Sequence, residues 1–196
     1  MSNPTLQIIV ASTRPGRVGP SVAAWIYDRA VAHGGFDVEL VDLAEVNLPM
    51  FDEPKHPRFG EYVHQHTKDW SAIVSRADAY IFVMPEYNYG FNAALKNALD
   101  YLNKEWRGKA VGFVSYGGVA AGTRAVQMLK PVLGALRLVA LNDAVHIPFV
   151  QQFLDSDRNL QPNDIMEAAA TLLLDELVAW SAALHSIREP SAASAT

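Results

Sequence analysis

Leu6-Gln7-Ile8-Ile9-Val10-Ala11-Ser12-Thr13-Arg14-Pro15-Gly16-Arg17-Val18-Gly19-Pro20-Ser21 holds three kinds of chain in sixteen consecutive residues. Leu6–Ala11 is a nearly continuous apolar run, the pattern of a strand buried on both faces. A polar, glycine-bearing loop follows. Ser21–His33 then takes helical period, with Val22, Trp25, Ile26 and Ala30 on one face and Gly34-Gly35 as the stop. The same alternation continues outward. Ala79–Met84 and Ala110–Ser115 are further apolar runs, Asp37–Asp42 reads as a strand nearer an edge, and Leu138–Ile147 is a fifth, closed by Pro148. Between them the spacing predicts helices over Gly60–Arg76, Asn92–Leu102, Thr123–Leu136 and Pro162–Ser186. Pro131 predicts a kink or an early end in the fourth of the five. The last carries Met166, Leu173, Leu177, Trp180 and Leu184 on one stripe.

Strands and helices in strict alternation imply an α/β protein, a parallel sheet sandwiched between helices in three layers, because right-handed crossovers place successive helices on its faces. Residues 1–188 are expected to form a single domain. Residues 189–196, small and polar, are expected to be disordered. The length of 196 residues suffices for a full core without staples. Cysteine is absent, which excludes disulfides, a thiolate nucleophile and cysteine-based metal sites. A net charge of -5 provides no global basic field for nucleic acid or an anionic membrane. Met1–Gln7 lacks the basic-then-apolar order of a secretory signal, and no stretch approaches the ~20 apolar residues of a membrane span. These features point to the cytoplasm and to small-molecule substrates.

In such a sheet a ligand sits beyond the carboxyl ends of the strands, near the switch point, so the loops after the first, third and fourth strands matter most. The first, Ser12–Ser21, offers hydroxyls, two arginines and two glycines, and it runs into a helix whose free amides stabilise a phosphate. No Asp or Glu precedes Asp28. The plain alternative is a turn with Ser21 as helix cap after Pro20. It is neither a Walker loop nor a complete dinucleotide fingerprint. The second loop, Met84–Asn92, brings Tyr87, Tyr89 and Phe91 to a strand end, suited to stacking a flat conjugated ring. Alternatively, Asn88 or Asn92 simply caps the next helix. In the third, Ser115–Thr123, paired glycines allow close backbone approach to a planar ligand, with Thr123 as an alternative cap.

Ser-Thr-Arg-Pro-Gly-Arg at Ser12–Arg17, Pro-Glu-Tyr-Asn at Pro85–Asn88, Leu-Lys-Asn-Ala-Leu-Asp at Leu95–Asp100 and Tyr-Gly-Gly at Tyr116–Gly118 together resemble the NADPH-dependent FMN reductases and the related quinone, azo and chromate reductases. The resemblance spans Leu6 to Ile147. It implies a flavodoxin-like fold, strand order 2-1-3-4-5, holding FMN with NADPH or NADH as electron donor. The FMN phosphate would lie on Ser12, Arg14, Arg17, Val18, Gly19, Pro20 and Ser21. Pro85, Glu86, Tyr87 and Asn88 would line the isoalloxazine, and Ser115, Gly117 and Gly118 would meet its pyrimidine edge. Tyr89 and Phe91 would line the substrate side. A homodimer or homotetramer is implied, with Lys96 matching a lysine near the subunit interface.

The implied reaction passes hydride from the nicotinamide to the flavin and then electrons to a quinone, flavin, azo compound or metal oxyanion, in ping-pong order. The cofactor carries the chemistry, so no catalytic acid or base is assigned. Amides around Gly117 and Gly118 would stabilise negative charge on the flavin, and Arg14 or Arg17 could also reach the 2′-phosphate of NADPH. A flavodoxin-type electron carrier and a flavin-dependent redox sensor are the competing readings. No metal site is expected: His64 and His66, two apart on the expected helix, would point to different faces. Asp155, Asp157 and Asp164 read as an exposed connection, and Phe149, Phe153 and the Trp180 stripe as core or subunit packing.

Overall fold

A computed structural model describes residues 3–188; the expected tail at 189–196 lies outside them. The five apolar runs become β1 (Thr5–Val10), β2 (Asp37–Asp42), β3 (Ala79–Pro85), β4 (Ala110–Tyr116) and β5 (Val139–Ile147). They form one parallel sheet in the order β2-β1-β3-β4-β5. β2 is an edge strand, as its alternation implies. Leu6, Ile8 and Val10 of β1, with Ile81 and Val83 of β3, pack on one side against α1 (Gly19–His33) and α6 (Asp164–Arg188). Ile9, Phe82 and Phe113 face the opposite way, toward α3 (Gln65–Ser75), α4 (Ala93–Asp100) and α5 (Thr123–Ala135). This period-two division of apolar strands between two helix layers produces the three-layer sandwich.

Several boundaries differ from the sequence reading, each for a local reason. α1 starts at Gly19 with Val18 as its cap, and Pro20 sits in the first turn where its missing amide costs nothing. Ser21 is therefore inside the helix and is not its cap. Gly122, at φ 83°, caps α5 in place of Thr123. α3 begins at Gln65 instead of Gly60, because Gly60 adopts φ 66° and closes a one-turn 3-10 helix at Pro57–Phe59. The buried Glu53 carboxylate accepts the Val63 and His64 amides just ahead of α3, placing negative charge at that helix's positive end. α5 runs through Pro131 to Ala135; Pro131 and Gln127 are both exposed, so the carbonyl that loses its partner meets water. A single turn, α2 (Leu43–Val46), which the period analysis does not register, follows β2 and is capped by the Asp42 carboxylate at 2.9 Å from the Ala44 amide.

His64 and His66 do not diverge. His64 holds the extended cap position, so its ring stacks on His66 at 5.1 Å and 9°, and Asp52 accepts from His66 at 2.9 Å. Within the α6 stripe Met166, Leu173, Leu177 and Leu184 are buried, while Trp180 is exposed and donates to Glu176. Among the described residues no helix is long and apolar enough to cross a membrane.

Gly112 lets α6 approach the sheet. A Cβ there would stand 2.5 Å from Leu173 Cδ1 and 3.4 Å from Leu177 Cδ1, both of fully buried residues. Gly112→Ala should lower unfolding free energy by about 1–3 kcal/mol through overpacking, measured by denaturant titration. Combined with Leu173→Ala it should cost less than the sum of the single changes; strict additivity would show that the contact does not limit packing.

Candidate functional site

The connections leaving β1 run in opposite directions, α1 to β2 and then across to β3, so a crevice opens at the carboxyl edge between them. A cavity of roughly 400 Å³ occupies that crevice. Its walls come from four loops. Ser12, Arg14, Arg17 and Val18 follow β1; Pro85, Glu86 and Tyr87 end or follow β3; Tyr116, Gly117 and Gly118 end or follow β4; and residues 149–152 follow β5.

Hydrogen bonds between loops hold this arrangement. The buried Asn92 side chain donates to the Ala11 carbonyl at 2.7 Å, linking the β3 loop to the end of β1. Asn92 is the cap residue of α4, yet its side chain makes no capping bond. The Glu86 amide donates to the Tyr116 carbonyl, and the Phe149 and Val150 amides donate to the Gly118 and Gly117 carbonyls. Several residues around the cavity hold left-handed backbone: Asn88 at φ 49° and Tyr89 at φ 72° form a tight turn closed by paired Tyr87–Gly90 bonds, and Ala121 and Phe149 lie at φ 53° and 45°. Such conformations cost energy for residues with a Cβ and cluster where a site imposes them.

Charge in the cavity is more restrained than the sequence implies. The Arg17 guanidinium is gripped by both oxygens of Asp42, at 2.6 and 2.5 Å, and also donates to the Ser12 carbonyl. The Asp42 side chain is only 14% exposed, so this pair is partly shielded from solvent. Arg17 therefore braces its own loop against the end of β2. Arg14 is exposed on the cavity wall; it is the arginine of the loop that no carboxylate claims among the described residues. Arg158, from the segment after β5, donates to the Gly16 carbonyl at 3.0 Å and steadies the loop from outside. The Glu86 carboxylate is bound by Arg124 through its side chain at 2.5 Å and its amide at 3.2 Å. The Arg124 guanidinium lies 3.8 Å over the Tyr89 ring.

Of the residues singled out in the sequence, Ser12, Arg14, Arg17, Val18, Pro85, Glu86, Tyr87, Gly117 and Gly118 converge on the cavity. Gly19, Pro20, Ser21, Asn88, Tyr89, Phe91 and Ser115 do not line it. Ser115 is fully buried; its hydroxyl donates to the Ala121 carbonyl and meets His146 Nδ1, both at 2.7 Å. That hydroxyl has one proton, so His146 Nδ1 must be the donor to it. Burial, with Lys130 nearby, lowers the His146 pKa. The Gly117 amide is likewise committed, to the Ile147 carbonyl at 3.2 Å. Neither expected contact with a pyrimidine edge is available from these two groups as they stand.

Tyr116, Phe149, Val150, Gln151 and Gln152 line the cavity without having been singled out as site residues. Phe149, half exposed beside it, is not core packing. The Tyr-Gly-Gly motif contains Tyr116, but only the fold shows that its side chain turns toward α1. The left-handed turn after β5 has no residue-level signature, since Phe is rarely found there.

A helix N-terminus, an unclaimed guanidinium, adjoining aromatic rings and a glycine turn suit an anionic ligand bearing a flat ring. With the sheet order, these features define a flavodoxin-like protein, and the comparisons with known proteins give its class as an oxidoreductase using flavin and a nicotinamide nucleotide. The sequence profile described as NADPH-dependent FMN reductase matches residues 4–152. The chain is 43% identical over 137 residues to an NAD(P)H-dependent FMN reductase of Schizosaccharomyces pombe, covering 69% of this chain and 68% of that one. It is 36% identical over 154 residues to an NAD(P)H-dependent FMN reductase of Saccharomyces cerevisiae, covering 72% and 80%. Its fold matches that of FerB, a flavoenzyme NAD(P)H:(acceptor) oxidoreductase from Paracoccus denitrificans, with TM-score 0.72 and 18% identity over 92% of this chain and 98% of that one. The chain belongs to the NADPH-dependent FMN reductase family, enzymes whose cofactors are FMN and NAD(P)H.

Asp42→Asn, by weakening the hold on Arg17 and leaving its charge uncompensated, should lower stability by about 2 kcal/mol. Thermal melts at low and high salt check this; a penalty that disappears in high salt would mean that the pair acts as an exposed surface bridge.

Proposed function

We propose that this cavity holds FMN and works as an NAD(P)H:acceptor oxidoreductase, with a ping-pong exchange of nucleotide for acceptor at one open face. The observation that carries the reading is the meeting, in one crevice, of the α1 N-terminus, Arg14, the Pro85–Tyr87 strand end and the Gly117-Gly118 turn. The residues fit the group: the Gly19 amide, the positive end of the α1 dipole and Arg14 suit a phosphate, while Pro20 has no amide to offer and the Ser21 amide is bonded to the Val18 carbonyl. Tyr116 keeps a buried hydroxyl, without a hydrogen-bond partner among the described residues, facing the same place. Gly118 has nothing within 4 Å of where a Cβ would stand, so a flat ring can approach the backbone closely.

Bound FMN supplies a two-electron carrier, accepting hydride from NAD(P)H and returning electrons to a small acceptor such as a quinone, flavin, azo compound or metal oxyanion. The chain's part is to bind and orient. Arg14 rather than Arg17 takes the phosphate charge, because Asp42 already neutralises Arg17. Pro85 and Tyr87 support the ring, and the Gly118 amide faces its polar edge. Glu86, neutralised by Arg124, serves as a strut and not as a base. Tyr89, stacked under Arg124 at the rim, flanks the entrance for nucleotide and acceptor. Gly19 keeps the α1 entrance open: a Cβ there would stand 3.0 Å from the Tyr116 hydroxyl.

The enzyme is further proposed to act in the cytoplasm as a homodimer or homotetramer of one-domain subunits. The segment after α2 exposes Met50, Phe51, Phe59 and Val63, apolar surface of the kind a second copy covers. Light scattering on the full chain should give two or four times the 21.5 kDa chain mass; a monomer at working concentration would remove the assembly.

Mixing the FMN-loaded protein anaerobically with NADPH should bleach the flavin absorbance within the turnover range of ordinary enzymes, on the order of milliseconds to seconds. A flavodoxin-type carrier would hold FMN and show no bleaching. Arg14→Ala should weaken FMN binding more than Arg17→Ala; the reverse order would return the phosphate to Arg17.

A further inference from the structure

The side chain of Tyr116 is set apart from its surroundings. It ends β4 at 5% exposure, crosses toward α1 and lines the cavity. Its hydroxyl is buried and meets no partner at hydrogen-bonding geometry among the described residues, although the Ser12 hydroxyl is near enough to temper the rise in its pKa. Burying a hydroxyl without a partner destabilises a fold, and a phenylalanine would occupy the same space without that cost. The position of the hydroxyl is specific. It lies 3.0 Å from where a Cβ on Gly19, the first residue of α1, would stand. Ser12 is next to it, with its own hydroxyl bonded to Tyr87 Oη at 2.8 Å. Three hydroxyls, from β1's loop, β3's loop and β4, therefore meet at the N-terminal, positive end of a fifteen-residue helix. Burial, reinforced by Tyr87, pushes the Tyr116 phenol far above its ordinary pKa, so it stays a proton donor at physiological pH.

We propose that the Tyr116 hydroxyl donates a hydrogen bond to the phosphate of FMN bound at the N-terminus of α1, and so selects FMN over riboflavin. This rests on the flavin reading above and adds a ligand-contacting residue to it. The hydroxyl is retained at a cost to the empty fold and is satisfied when the phosphate arrives. Ser12 and Tyr87 are bonded to each other and flank the same position; Tyr116 brings the unspent proton. Gly19 is required because a side chain there would meet Tyr116 Oη and Val10 at 3.0 Å, closing the approach between hydroxyl and helix.

The test compares Tyr116→Phe with the unchanged full chain, both stripped of flavin, by titrating FMN and riboflavin separately and by recording the Tm of each flavin-free protein. The expected result is an FMN Kd raised about tenfold, the size of one hydrogen bond to a charged acceptor, with the riboflavin Kd unchanged. The flavin-free variant should melt at the same temperature or higher. Equal weakening of FMN and riboflavin, or no change in either, would overturn the inference, as would a clear drop in the flavin-free Tm, which would mean that the hydroxyl is already satisfied inside the fold. If the unchanged chain binds neither flavin, the flavin reading itself fails and this assignment falls with it. That outcome is distinct from a wild-type chain that binds FMN and a variant that binds it equally well.

Discussion

The parallel pairing of β1 with both β2 and β3 is the constraint on which the rest of the molecule depends. A parallel neighbour can be reached only by a crossover over one face of the sheet. The chain leaves β1 through α1 to reach β2 on one side, then returns through α3 to β3 on the other. The two crossovers lie in different layers, so neither fills the space above the carboxyl end of β1. The loops after β1, β3, β4 and β5 deliver their cavity-lining residues to that gap. The Asn92 side chain on the Ala11 carbonyl and the Ala11 amide on the Val83 carbonyl keep the β1 and β3 loops in register across it.

The site is built by committing most of its polar groups internally and leaving a few exposed to the cavity. Asp42 and the Ser12 carbonyl hold Arg17, Arg124 holds Glu86, and Ser115 is shared between Ala121 and His146. The internal pairs fix loop shape, since an ionised side chain in a half-buried place must find a counter-charge. Among the described residues, Arg14, the Tyr116 hydroxyl and the side chains of Gln151 and Gln152 remain on the cavity wall, beside the N-terminus of α1. A phosphate-bearing flavin needs such a subset, and preorganised donors bind without reordering cost. The left-handed residues Asn88, Tyr89, Ala121 and Phe149 show that the loops accept local strain to present these groups.

Much of the architecture was legible in the residues because it follows from short-range periods. Leu6–Ala11, Ala79–Met84 and Ala110–Ser115 could only be strands covered on both faces, and their alternation with helical stripes required a parallel sheet. Boundaries failed where a distant group replaced a local signal. The start of α3 is set by the Glu53 carboxylate, ten and eleven residues before the amides it accepts. α1 starts two residues before the expected Ser21 because Pro20 sits within the first turn and not ahead of a Ser21 cap. The stacked His64–His66 pair is likewise a product of one extended cap residue shifting the expected helical screw.

The sequence by itself determined that the chain is α/β and that its sheet is parallel, and it directed attention to the loops after the first, third and fourth strands, which the fold brings to one cavity together with the loop after the fifth. Those conclusions need only period, polarity and loop composition, which are local properties. It also contained enough of the family motifs to imply FMN and NAD(P)H. Only the tertiary structure decided which of two equivalent arginines is free. Arg14 and Arg17 are chemically identical in the sequence, and the distinction arises because parallel pairing places the end of β2, and with it Asp42, beside Arg17. In the same way, only the fold turns Tyr116 across the sheet edge to face α1, leaving its hydroxyl buried and unspent. Whether a polar group is available to a ligand depends on its neighbours in space, which a linear pattern of residues does not encode.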